Sequence, residues 1–259
     1  MKIELIAVDL DGTALRTDKS VSDRTRETLS EAAARGIQVV PATGRFVKMV
    51  PRPVREIPGV RYALTSNGAA VRDLSDNSVL YSNLMPREAS ERIVRFFLSR
   101  GYLTEIYTGG VSYANRDAFE RLYDLKLPEE FYSYILDSQI FVDDLEGLVQ
   151  ERGLRAEKIN VPYVPEERKE EIRREVLAMN EYALTCSGGI NLEINYVSAN
   201  KGDGLKHLCE RLGVSPDRVM AIGDQDNDVS MFRVAGFSVA MGNAAPQVLG
   251  AADAVTKTN

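Results

Sequence analysis

The chain has 259 residues, 44% of them hydrophobic and 27% charged, with a net charge of −6 and no tryptophan. This is the composition of a globular protein long enough for one large domain or two modest ones, each with its own core. The acidic balance argues against a nucleic-acid-coating surface, which needs a basic face, but leaves room for a locally positive pocket that takes a small anion. No apolar run approaches the roughly 18 residues of a membrane span. The opening Met1-Lys2-Ile3-Glu4 lacks the hydrophobic stretch and small-residue cleavage site of a signal peptide. Two cysteines without metal-ligand spacing, Cys186 and Cys209, fit a reducing compartment and predict buried thiols. A cytoplasmic protein with neither nucleic-acid nor membrane partners is expected.

In chain order, Ile3 to Val8 reads as a buried parallel strand. Asp9 and Asp11 follow at its end, and Gly12-Thr13 turns the chain. Ser22 caps a helix over Asp23 to Arg35, stopped by Gly36. Ile37 to Val40 is the next strand, and Thr43-Gly44-Arg45 leads into a short helix running toward Glu56. Tyr62 to Thr65 is a third strand, ended by Ser66-Asn67-Gly68. Strand, helix, strand, helix, strand predicts βαβ units and a parallel sheet. The grammar then changes. Val71-Asp73 and Val79-Tyr81 suggest a hairpin, and Pro86 opens a helix that stops at Gly101. Strands are expected near Tyr102–Tyr107, Gln139–Val142 and Glu157–Val161, and a charged helix over Glu166–Met179. A hairpin of Tyr182–Thr185 and Asn191–Asn195 turns around Ser187-Gly188-Gly189. From Asn200 the first grammar returns: a helix from Lys201 to Leu212, a strand Val219–Ile222, a helix Val229–Ala235 and a strand Phe237–Ala240. The prediction is an α/β fold: a Rossmann-like parallel-sheet core domain (1–82 and 196–259) with an inserted α+β cap domain (83–195).

Four stretches then fall at strand ends or helix starts of the α/β part: Asp9/Asp11, Thr43-Gly44, Lys201, and Gly223-Asp224 through Asp228. In an open parallel sheet these ends gather at one edge, where ligands bind. Paired acids there repel, so a metal ion, a shared proton or a cation must hold them. Oxygen ligands suit Mg²⁺, and a hydroxyl beside backbone amides suits phosphate. Taken singly, Thr43-Gly44 is an ordinary turn and Lys201 an ordinary exposed lysine. Asp224, Asp226 and Asp228 start like a calcium loop, but Val229 and Ala235 stand where it needs Gly and Glu. Gly202-Asp203-Gly204 lacks a dinucleotide fingerprint. His207, the one histidine, reads as packed or solvated, so acid–base chemistry falls to carboxylates.

Asp9-Leu10-Asp11-Gly12-Thr13, Thr43-Gly44-Arg45, Lys201-Gly202 and Gly223 through Asp228 together resemble the four ordered motifs of the haloacid dehalogenase superfamily. The insertion, and Asn67-Gly68-Ala69 before it, resemble the Cof-type sugar-phosphatase branch. The resemblance spans nearly the whole chain. One departure is that members of the branch usually continue past the stretch matching Ala252–Thr256 into a further Asp-Gly-Val segment. This puts the sheet edge, rather than the site, in question. The resemblance implies a Mg²⁺-dependent phosphatase of small phosphorylated metabolites, sugar phosphates or phosphorylated cofactors. In it Asp9 is the nucleophile that forms an aspartyl-phosphate, and Asp11 is the acid and then the base. Asp9, the Asp11 carbonyl and Asp224 would hold Mg²⁺. Lys201, Thr43, Asn227 and the amides of Leu10 and Gly44 would hold the phosphoryl group, and Asp228 would order the metal shell or Lys201. The cap would close over the site and contact the leaving group, with Arg45 and Asn67 on the core side and Tyr113, Asn115, Arg116, Glu193 and Asn195 as its candidates. A phosphomutase and a non-catalytic sugar-phosphate sensor are the competing readings. The second is disfavoured because a pure binder does not need nucleophile and acid together.

Overall fold

The computed structural model describes residues 2–186 and 189–259. Its strands are β1 (Leu5–Asp9), β2 (Gln38–Ala42), β3 (Tyr62–Thr65), β4 (Ala70–Asp73), β5 (Val79–Ser82), β6 (Glu105–Thr108), β7 (Val111–Asn115), β8 (Ile140–Val142), β9 (Lys158–Val161), β10 (Tyr182–Thr185), β11 (Leu192–Tyr196), β12 (Val219–Gly223), β13 (Phe237–Ala240) and β14 (Ala254–Val255). The chain divides into two compact units, Met1–Ser82 with Ala199–Asn259, and Asn83–Ser198. No helix among the described residues is long and apolar enough to cross a membrane.

The first unit is built on one sheet of order β14-β13-β12-β1-β2-β3-β4-β5. It is parallel from β14 to β3, and antiparallel where β4 and β5 follow β3 as a meander. The apolar run of β1 is continuous because the strand is covered on both faces. Leu5 and Ala7 pack with Val40, Ala221 and the Leu205 and Leu208 side chains of the Lys201–Leu212 helix. Val8 packs on the other side with Val39, Val54 and Leu29 of the Asp23–Ala34 helix. Ser22 caps that helix, its Oγ accepting from Thr25 N at 3.0 Å. The helix expected to reach Glu56 is reduced to Arg52–Arg55, after a 3-10 turn at Val47–Met49. Pro51 is the reason: it holds Val50 extended, at ψ 119°. The helix expected over Val229–Ala235 is likewise short, Val229–Phe232.

In the second unit the sheet order is β10-β11-β9-β6-β7-β8. The strands read from sequence are present, and the expected hairpin forms, β10 pairing antiparallel with β11. Ser187 and Gly188 of its turn lie outside the described residues. β7 and the helices Arg116–Leu122, Glu129–Ser138 and Leu145–Arg152 are additions to the elements expected from sequence. The β6–β7 link is Gly109-Gly110, a two-residue hairpin signal that sits openly in the sequence. Cys209 is buried as expected, but Cys186 is exposed, because it lies just past the last β10–β11 pair, Thr185 and Glu193.

Period-two alternation divides this second sheet into unlike faces. Ile106, Ile159, Val161 and Ile194 pack with Phe97 and Ile172 in an apolar core. The opposite face carries Glu105, Tyr107, Lys158, Asn160, Glu193 and Asn195, all buried. Glu105 Oε2 accepts from Asn160 Nδ2 at 2.7 Å and from the Tyr107 hydroxyl at 3.2 Å, while its Oε1 is buried without a hydrogen-bond partner among the described residues. Burial outweighs these donors and pushes the Glu105 carboxyl up to about 7. A carboxyl with a raised folded-state pKa binds more protons folded than unfolded between about pH 4.5 and 7, so it lowers stability as pH rises through that window. Urea unfolding followed by circular dichroism is expected to show wild type less stable at pH 8 than at pH 5, this group contributing about 3 kcal/mol. Glu105→Gln is expected to flatten that slope and to be the more stable protein at pH 8. Equal slopes for the two proteins would remove Glu105 as the cause.

Candidate active site

The adjacent parallel strands β12, β1 and β2 end together, and their following residues bring the predicted motifs to one edge of the first unit's sheet. Gly12, at φ 87°, turns the chain beside Asp224; a Cβ there would stand 2.3 Å from Asp224 Oδ2. The same turn lets Thr13 Oγ1 donate to Asp224 Oδ1 at 3.0 Å. Gln225 Nε2 donates to the other Asp224 oxygen at 3.1 Å. Neither Thr13 nor Gln225 has a role that the sequence alone assigns, although both lie inside the motifs.

Lys201 opens its helix behind the N-cap Asn200, whose side chain accepts from Asp203 N at 2.9 Å. Its fully buried Nζ donates to Asp9 Oδ1 and to Asp228 Oδ1, both at 2.6 Å. Burial alone would push this ammonium down, but the Asp228 and Asp9 carboxylates outweigh it and hold the pKa above the usual lysine range. Asp9 is shifted well upward by burial and by the neighbouring Asp228 and Asp224 carboxylates, with Lys201 opposing them. Asp224 is also raised, chiefly by burial. Asp9, Asp224 and Asp228 each offer an oxygen within 4.8 Å of the others.

The three acids are not equivalent. Asp228 Oδ2 already accepts from the backbone N–H of Asp224 and Gln225, at 2.9 and 3.0 Å, and its Oδ1 takes Lys201. Asp9 Oδ2, in contrast, is buried with no hydrogen-bond partner among the described residues. An orphaned carboxylate oxygen among three acids, with only oxygen donors, fits a hard divalent cation of the Mg²⁺ kind.

Asp11 belongs to a different cluster. Arg45 donates to both its oxygens, Nε to Oδ2 at 2.8 Å and Nη2 to Oδ1 at 2.7 Å, and Lys19 Nζ reaches Oδ1 at 2.9 Å. Although burial works the other way, Arg45 and Lys19 hold the Asp11 carboxyl well below the usual range. Lys19 carried no signal in the sequence, since it sits in a loop without periodicity. Thr43 is buried and its Oγ1 accepts from Arg45 N at 3.1 Å. Asn227 Nδ2 donates to Asn67 Oδ1 at 3.1 Å, while Asn227 Oδ1 is buried without a partner among the described residues. Ser66, Asn67 and Gly68 are successive left-handed residues, with φ of 52°, 59° and 83°. Gly68 passes so close to the start of the Lys201 helix that a Cβ would meet Asn200 O at 2.3 Å.

The candidates in the second unit do not converge. Glu193 and Asn195 share the polar face, Glu193 paired with Lys158 at 3.0 Å and Asn195 donating to Glu157 O at 3.0 Å. Tyr113 packs against the apolar core of the opposite face. Asn115 Oδ1 accepts from Thr104 N at 2.9 Å, and Arg116 pairs with the exposed Asp143 at 3.0 Å. His207 stacks on Tyr81 with ring centroids 3.8 Å apart, a packing role consistent with the sequence reading.

Residues 6–259 match the family of haloacid dehalogenase-like hydrolases. Over 257 residues the chain is 28% identical to a 5-amino-6-(5-phospho-D-ribitylamino)uracil phosphatase of Bacillus subtilis, a match spanning 99% of this chain and 91% of that protein. It is 30% identical to a phosphatase of the same name from Escherichia coli, over 97% of this chain and 90% of that one. A solved haloacid dehalogenase-like hydrolase from B. subtilis has the same fold at a TM-score of 0.83 and 26% identity, covering 99% and 95% of the two chains. Agreement along almost the full length, with the motif residues meeting at one sheet edge, means that the chain belongs to the haloacid dehalogenase-like hydrolases, in their Cof-type branch, and is a phosphoric monoester hydrolase.

Proposed function

We propose that this hydrolase is a Mg²⁺-dependent phosphatase of small phosphorylated metabolites, working through an aspartyl-phosphate on Asp9. The observation that carries the reading is the state of Asp9: buried, with Oδ1 held by Lys201 and Oδ2 unpartnered among the described residues. A carboxylate of this kind is oriented yet has an oxygen to spend on chemistry.

In the proposed cycle a carboxylate oxygen of Asp9 attacks phosphorus, the bond from phosphorus to the leaving oxygen breaks, and that oxygen takes a proton from Asp11, which must first gain one against the pull of Arg45 and Lys19. Water then adds to phosphorus, passes its proton to Asp11 and frees the Asp9 carboxylate. An anion approaching a phosphate meets repulsion of about 4 kcal/mol per pair of unit charges at 4 Å, for an effective dielectric near 20. At roughly tenfold in rate per 1.4 kcal/mol, this must be offset. Lys201 offsets part of it at Asp9 itself. Mg²⁺ held by Asp9, the Asp11 carbonyl and Asp224 would, when bound, neutralise phosphoryl charge. Thr43, Asn227 and the amides of Leu10 and Gly44 orient the phosphoryl oxygens, and Asp228 holds Lys201 in place. The second unit supplies leaving-group selectivity in this reading. The relatives' named substrate, 5-amino-6-(5-phospho-D-ribitylamino)uracil, and sugar phosphates head the compounds to assay.

Phosphate release from such a panel is expected for wild type and to fall at least about a thousandfold in Asp9→Asn, with an unchanged circular dichroism spectrum. Turnover that survives in Asp9→Asn would refute the covalent route, and isomerised sugar phosphate without net release would mark a phosphomutase. Chelation is expected to abolish release, Mg²⁺ to restore it, and Ca²⁺ to fail, because a larger ion with more ligands does not hold the same compact geometry. Full activity in chelator would exclude the metal-dependent mechanism.

A further inference from the structure

Asp11 is more constrained than an acid–base residue needs to be. An ionised carboxylate offers about four lone-pair positions, two on each oxygen. Lys19 Nζ and Arg45 Nη2 occupy both positions on Oδ1, at 2.9 and 2.7 Å, while Arg45 Nε takes one on Oδ2 at 2.8 Å. Among the described residues these three donors leave one position, on Oδ2. Arg45 is itself anchored: its backbone N donates to Thr43 Oγ1 at 3.1 Å, its O accepts from Ser66 N at 2.8 Å, and Nη1 reaches Met49 O at 3.4 Å. Its side chain is 13% exposed, that of Lys19 60%. The rigid contact is therefore the two-pronged arginine, and the lysine is an outer support.

We propose that Arg45 and Lys19 are positioning residues that hold Asp11 as a base with a single working oxygen, Oδ2, for hydrolysis of the phosphorylated enzyme; this rests on the aspartyl-phosphate reading above. In that step water oxygen bonds to phosphorus, the bond from phosphorus to Asp9 oxygen breaks with its electron pair returning to Asp9, and the water proton passes to Asp11 Oδ2. A carboxylate that rotates freely presents that oxygen correctly only part of the time. The loop that carries Thr43 and Gly44 toward phosphate thereby also sets the base, because Arg45 is the next residue.

The test is rapid-mixing kinetics with p-nitrophenyl phosphate, whose leaving group departs without a proton and so isolates the second step. For Arg45→Met the first release of p-nitrophenolate is expected near the wild-type rate, followed by steady turnover at least about tenfold slower. The burst should equal the enzyme concentration and coincide with a hydroxylamine-reactive phosphoenzyme. Arg45→Lys is expected to recover part of the loss, and Lys19→Met to slow turnover by about threefold at most, since it frees only one Oδ1 position. A structural role alone would slow burst and steady phases by one common factor; that result, or wild-type kinetics in Arg45→Met, overturns the proposal. Should Arg45→Met fail to fold, Arg45→Lys carries the same burst criterion. The phosphatase reading fails separately, when Asp9→Asn still turns over; the positioning role fails when Asp9→Asn is inactive and no Arg45 variant shows a burst.

Discussion

One buried ammonium ties the first unit together. Lys201 has no solvent contact and lies between Asp9, at the end of β1, and Asp228, beyond β12. Removing three ions from water costs several kcal/mol each, and only close pairing with satisfied oxygens makes it tolerable. That requirement explains the local architecture. Asp228 uses both its oxygens, one on Lys201 and one on two backbone N–H groups, so that it fixes the lysine and the turn after β12 together. With Asp224 included, three carboxylates face one ammonium, and the surplus negative charge is what a divalent cation suits.

Backbone strain is accepted around this pair. Two non-glycine residues, Ser66 and Asn67, sit in the left-handed region directly before Gly68. Such residues cost on the order of 1–3 kcal/mol each and persist only where packing over-determines them. Here the close approach of Gly68 to Asn200 and Lys201 does so. The strained turn places Asn67 against Asn227, joining the end of β3 to the motif after β12. Local preference is overridden at the point where four separate stretches have to meet.

The second unit shows a different balance. One face of its sheet is an aliphatic core, and the other buries Glu105, Lys158 and Glu193 among amides and a phenol. Alternation along each strand is strict, so neither face can change without shifting register and inverting both. Polar residues at alternate positions would ordinarily be read as solvent-facing. That is why this buried network was not legible in the sequence, while the strands themselves were.

The sequence by itself determined the α/β class and the order of strands and helices in the first unit. Each of these is written in short windows: apolar runs, caps, glycine stops and acids at strand ends. It also held the β6–β7 turn in Gly109-Gly110, although the helices after it, lacking strong periodicity, were not recoverable. Tertiary structure alone decided the partnerships. Asp9 and Lys201 are 192 positions apart and Thr13 and Asp224 are 211. No local pattern states that Lys19 and Arg45 share one carboxylate, or that both Asp228 oxygens are engaged while Asp9 Oδ2 has no hydrogen-bond partner among the described residues. Those facts depend on which strand ends lie side by side, and the parallel pairing of β12, β1 and β2 sets that through long crossovers.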